Sequence, residues 1–79
     1  MKQELKINGA LKNILNNKEV KMITDNYKSN VFFLNQNINI NKPIVWEITN
    51  SNGNIITKYI TCDDFKEKFK DNKFIILNE

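Results

Sequence analysis

Residues 43–60 read PIVWEITNSNGNIITKYI, and this stretch decides the fold. Two runs rich in β-branched and aromatic residues, Ile44 to Thr49 and Ile55 to Ile60, flank a polar centre. Asn52-Gly53 in that centre is a strong hairpin signal, because a type I′ turn needs positive φ at both central residues. Pro43 lacks a ladder donor and so suits a strand's first residue or an edge. Taking Asn52 and Gly53 as a two-residue loop sets the register: Ser51 faces Asn54, Ile48 faces Thr57, Glu47 faces Lys58, Trp46 faces Tyr59 and Val45 faces Ile60. The aromatic pair and the opposite-charge pair would each contribute roughly 0.2–1 kcal/mol. On this reading one face carries Ile44, Trp46, Ile48, Ile55, Thr57 and Tyr59. The other carries Val45, Glu47, Thr49, Ile56, Lys58 and Ile60.

Beyond the hairpin, Thr61 as N-cap with Asp64 three residues on predicts a second helix, and Asp63 adds favourable charge to its first turn. Phe65 and Phe69 sit at i and i+4 and dock together onto the sheet. Asn72 can close this helix, and Phe74 to Leu77 is a last, nearly all-apolar strand. On the other side of the hairpin, residues 8–17 predict a short helix with Asn8 as N-cap and Leu11, Ile14 and Leu15 on one face. Asn16 and Asn17 can end it, since Asn tolerates the left-handed conformation. Lys2 to Ile7 is a short strand or a lead-in. Glu19 to Thr24 and Val31 to Leu34 form a second hairpin around a polar connection, residues 25–30. Residues 35–42 alternate Asn with Ile38 and Ile40, a pattern open to both an edge strand and a loop. The fold class is therefore α+β: one domain, residues 1–79, a small antiparallel sheet of two hairpins plus a C-terminal strand, with two short helices packed on it.

Such a domain buries only about 60% of its unfolded chain's surface, so association with further copies would add stability and a homo-oligomer is expected. Fifteen asparagines, abundant Ile and a single alanine are what an AT-rich coding sequence produces. The bias points to a low-GC bacterium, or a phage or plasmid living in one. All twelve basic residues are lysines, net charge is +3, and acids are interspersed with the lysines. That is the pattern of a solvated surface more than of a nucleic-acid stripe, and there is no Arg for bidentate base or phosphate contacts. Lone Cys62 excludes an internal disulfide and fits a reducing cytosol. With no apolar signal-peptide core and no run approaching ~18 apolar residues, a cytoplasmic protein is expected.

The chain has no histidine, which excludes Ser-His-Asp and Cys-His devices and His-based zinc proteases. One cysteine cannot build a structural zinc site. The only glycines, Gly9 and Gly53, are too far apart for a Walker loop or a dinucleotide fingerprint. Asp63 and Asp64, adjacent on a helix, point in different directions and read as helix-start electrostatics. No catalysis and no cofactor is expected.

Residues 10–20, ALKNILNNKEV, resemble the "ALKALKEGKKV" opening of small phage proteins of the Thoeris anti-defence type. The layout is similar as well: a short helix, a turn, a strand, an apolar strand like Val31 to Leu34, and an acidic short helix before a closing strand, comparable to Thr61 to Leu77. The sequence departs from that pattern where Met22 stands in place of an Arg, Tyr27 in place of a Trp, and Lys73-Phe74 in place of a closing "DW". The resemblance implies a homo-oligomeric sponge that sequesters cyclic ADP-ribose-type signals of bacterial immunity.

Such a ligand demands ring stacking and phosphate neutralisation. Trp46, Tyr59, Tyr27 and Phe33 are the candidates for stacking, and Lys21, Lys28 and Lys58 for phosphate. A second expectation is a small inhibitor of a host defence protein, of the anti-CRISPR kind, acting through an exposed patch. Lysine-mediated nucleic-acid binding is a third, and it requires strong salt dependence.

Overall fold

The computed structural model describes residues 3–24, 28–37 and 39–77. Its elements run α1 (Ile7–Leu15), β1 (Val20–Met22), β2 (Ser29–Leu34), β3 (Ile44–Thr49), β4 (Ile55–Ile60), α2 (Cys62–Lys68) and β5 (Phe74–Ile76). The five strands form one antiparallel sheet in the order β4-β3-β2-β1-β5. Because β4 and β5 are opposite edges, the chain after Ile60 must cross four strand spacings, roughly 19 Å at ~4.8 Å each. Helix α2 and the turn after it make that crossing. Both helices contribute buried side chains to one core, on one face of the sheet.

Helix α2 starts as its sequence dictates: the Asp64 N–H donates to Thr61 Oγ1 at 3.1 Å. Its helical residues end at Lys68, with Phe69 as C-cap, and Asn72 N–H then donates to the Phe69 carbonyl at 3.0 Å. At its other end the chain behaves differently from expectation. Helix α1 has Lys6, not Asn8, at its N-cap, and no side chain caps it. Leu5 and Phe74 exchange two backbone hydrogen bonds, 2.7 and 2.8 Å, which pins the chain just before the helix, whose cap stands two residues earlier than expected. The buried face is Ala10 and Ile14, flanked by Ile7 and Leu11, while Leu15 lies off the stripe and is 46% exposed. The C-terminus is a Schellman closure: Asn17 at φ 65° donates to the Ile14 carbonyl, and Lys18 to that of Asn13, both at 3.0 Å.

The first hairpin pairs Val20 with Phe32 and Lys21 with Val31, and β5 joins β1 through Val20–Ile76 and Met22–Phe74. Residues 25–27 of its connection lie outside the described residues. Residues 35–42 are no strand in their described part. Asn side chains fold this segment as a chain of local turns: Asn35 Oδ1 accepts from Asn37 N, Asn37 Oδ1 from Asn39 N, and Asn35 Nδ2 donates to the Lys42 carbonyl.

In the second hairpin the strands are where the sequence puts them, but the register differs by one residue. Trp46 faces Lys58, Val45 faces Tyr59, Glu47 faces Thr57 and Ile44 faces Ile60. The Trp46–Tyr59 and Glu47–Lys58 pairs expected above do not form. The loop is Ser51-Asn52-Gly53, with only Gly53 at positive φ, 85°. This is the three-residue hairpin closed by a left-handed glycine. Asn50 favours it, since its Oδ1 accepts from both Asn52 N (2.9 Å) and Asn54 N (3.0 Å). A one-residue slip flips a whole strand, and here it turns Ile60, beside the start of α2, into the core. Ile56, Lys58 and Ile60 therefore share the helix-covered face with Ile44, Trp46 and Ile48, and Ile55, Thr57 and Tyr59 point to the other side with Val45, Glu47 and Thr49.

Phe32 is the centre of the core. Its ring lies 5.0 Å from Phe65, 5.1 Å from Phe69 and 5.9 Å from both Phe74 and Trp46. Phe65 and Phe69, 5.7 Å apart, close the covered face of the sheet as their i, i+4 spacing predicts.

Candidate functional site

A shallow groove of about 900 Å³ lies between the β3–β4 ribbon, the loop at 40–42 and one side of α2. Its floor is Trp46, whose sheet position fixes the backbone and whose Nε1 donates to Asn30 Oδ1 at 2.9 Å. Asn30 is itself buried, so this bond holds the indole in one orientation. Phe32 stacks along the indole at an 18° interplanar angle, and Phe69 meets it edge-on at 5.1 Å. The half-exposed remainder of the ring faces the groove, where the Lys58 ammonium lies 5.3 Å from its centroid. Lys42 and Lys68 stand on the walls, and so do Asp64 and Glu67. Three lysines against two carboxylates leave the lining with one excess positive charge.

Chemically, the groove offers an aromatic surface, ammonium groups for an anion and carboxylates that accept hydrogen bonds from hydroxyls. A flat ring entering over Trp46 has to displace the Lys58 ammonium, which a negatively charged ligand would draw aside. Among the described residues no three His, Cys, Asp or Glu side chains come together as a metal site. Cys62 is free and half-buried.

The seven residues singled out from the sequence do not converge on one place. Trp46 and Lys58 meet in the groove. Tyr59 borders it from the edge strand, but its pairing with Val45 puts it on the opposite side of the sheet from Trp46, so the two rings form no common clamp. Phe33 lies on the uncovered face with Val45 and Tyr59. Lys21 and Lys28 line a smaller hollow of about 300 Å³ with Ile23, Ser29 and Ile75. Tyr27 lies outside the described residues. Lys42, Lys68, Asp64 and Glu67 were missed: the first sits in the segment left undecided, and the others read as helix surface until the crossing of α2 is known.

No protein-family model, curated protein or solved structure matches this chain. No helix among the described residues is long and apolar enough to cross a membrane.

Proposed function

We propose that this chain is a non-catalytic binding protein that holds a nucleotide-derived signalling molecule in the groove at Trp46, acting as a homo-oligomeric sponge. A phage-encoded counter-defence role is the biological setting that the resemblance of residues 10–20 suggests. The observation that carries the reading is the fixed indole with ammonium groups of Lys42, Lys58 and Lys68 around it. The indole supplies a stacking surface for a base, the lysines meet a pyrophosphate, and Asp64 and Glu67 accept from ribose hydroxyls.

Trp46 is the only tryptophan, so its fluorescence reports the groove directly. Titration with cyclic ADP-ribose isomers and with cyclic dinucleotides should quench it and release heat, and Lys42→Ala should weaken binding. If none of these ligands gives either signal at about 100 μM, where a site with a Kd of about 100 μM or tighter would be half filled or more, the reading fails.

The alternative, a small inhibitor of a host defence protein, is favoured by the free edge of β4. There Ile55 and Ile56 are 61% and 52% exposed, and an unpaired strand edge is a ready template for a partner's strand. Stoichiometric capture of one host protein, lost on Ile55→Lys, would support it.

A further inference from the structure

Both helices pack on one face of the sheet, and on the other face lies a hollow of about 700 Å³. Phe33, Val45 and Tyr59, direct neighbours across β2, β3 and β4, line its floor. The end of α1 and the segment after β2 contribute the amides of Asn17, Gln36 and Asn37. Two carboxylates, Glu19 and Glu47, complete the polar lining. Among the described residues no lysine lines this hollow, whereas three line the groove at Trp46.

Each amide is fixed by one end and has the other to offer. Asn17 Oδ1 accepts from Gln36 Nε2 at 3.2 Å, which leaves the Asn17 NH2 as a donor and the Gln36 oxygen as an acceptor. Asn37 Oδ1 accepts from the Asn39 N–H at 3.0 Å, which leaves the Asn37 NH2. Side chains held in this way have already lost rotamer freedom that a ligand would otherwise have to remove.

These groups discriminate between ligand classes. An anion is repelled by the two carboxylates. A cation gains from them, but Lys21 stands on the same face, roughly 7 Å along the strand from Glu19 and roughly 10 Å, two strand spacings, from Glu47. Within about one Debye length its charge offsets much of theirs, and a cation makes no use of the amide donors. A neutral ring bearing hydroxyls uses every part. Its hydroxyls both donate and accept, and its weakly positive C–H bonds suit the negative faces of aromatic rings.

We propose that this hollow binds a neutral saccharide, with the C–H face of a pyranose on Phe33 and Tyr59. The sugar hydroxyls donate to Glu19, Glu47 and Gln36 Oε1 and accept from the amides of Asn17 and Asn37. The volume suits a mono- or disaccharide. Among the described residues the hollow shares only Tyr59 with the groove at Trp46, so the two sites stand or fall separately.

The test is a nitrogen–proton correlation spectrum of the labelled chain during titration with glucose, galactose, mannose, N-acetylglucosamine and cellobiose. At about 50 mM sugar, a site with a Kd of about 50 mM or tighter is half filled or more. At least one of the five should shift the side-chain NH2 signals of Asn17, Gln36 and Asn37 together with the backbone amides of Phe33 and Val45. Glu47→Ala, which removes a charged acceptor, should weaken that binding about tenfold. Phe33→Leu, which keeps apolar bulk and removes the ring, should weaken it about threefold to tenfold. The same spectra show whether each variant is folded, and if one is not, the other decides alone. No shift with any of the five sugars overturns the proposal. So do shifts confined to the Trp46 side of the sheet, binding indifferent to the folded variants, or spermidine or pyrophosphate moving the same signals at lower concentration than any sugar.

Discussion

The Lys58 ammonium sits 5.3 Å above the ring of Trp46, its direct cross-strand partner. One face of the indole is thus supported by the core through Phe32 and Phe69, and a charge from the edge strand covers what the core leaves open. Asn30 completes the arrangement by accepting the indole N–H. A residue that could have been mere core packing is thereby held as a fixed wall of the groove.

This arrangement makes Asn30 more valuable to stability than Lys58. Asn30→Ala removes the acceptor of a part-buried N–H and should cost about 1–3 kcal/mol. Lys58→Ala removes only an exposed cation–π contact, about 0.5–1 kcal/mol. Urea denaturation followed by Trp46 fluorescence measures both, and a larger loss for Lys58→Ala would contradict the geometry.

The loop at the hairpin tip separates two turn types by mutation. In a two-residue type I′ loop both Asn52 and Gly53 need positive φ, so Asn52→Ala would be costly. Here Gly53 alone has it, and Asn50 supplies the acceptor. Gly53→Ala should therefore cost about 1–2 kcal/mol and Asn50→Ala a similar amount for two lost hydrogen bonds. Asn52→Ala should change little. Thermal melts of the three variants give the order.

The same loop marks where sequence reading stops. Strand positions followed from β-branched runs, except that β2 also takes in Ser29 and Asn30 from the expected connection, and α2 followed from Thr61, Asp64 and the Phe65–Phe69 spacing, because each signal is local and agrees with the core's demand. Register was not legible, since Asn52-Gly53 fits both a two-residue and a three-residue loop. The choice falls to the Asn50 side chain and to the need for Ile60 to face inward. The candidate site suffered from the same slip. Trp46 and Lys58 were both singled out, but as members of different faces, and the wall residues Asp64, Glu67 and Lys68 depend on how α2 crosses the sheet, which no local pattern encodes.

Adjacent phenylalanines in β2 should respond in opposite ways. Phe32 is fully buried among four aromatic rings, whereas Phe33 is half-buried on the open face. Phe32→Ala should cost about 3–5 kcal/mol, much of the roughly 4–12 kcal/mol that a chain this long commands. Folding at 37 °C should then fail or be marginal. Phe33→Ala should stay folded. Circular dichroism melts distinguish them, and equal losses would put the core on the wrong face.

The end of α1 gives the test of lowest risk to the fold. Asn17 holds φ at 65°, where a side chain is strained and glycine is not, and its Oδ1 accepts one exposed bond from Gln36 Nε2 at 3.2 Å. Relief of that strain is worth up to about 1 kcal/mol, more than an exposed 3.2 Å bond contributes. Asn17→Gly should therefore raise the melting temperature slightly or leave it unchanged. Asn17→Ala keeps the strain, loses the bond and should lower it by several degrees. If alanine proved as good as glycine, the left-handed closure of α1 at Lys18 and Asn13 would not be what ends the helix.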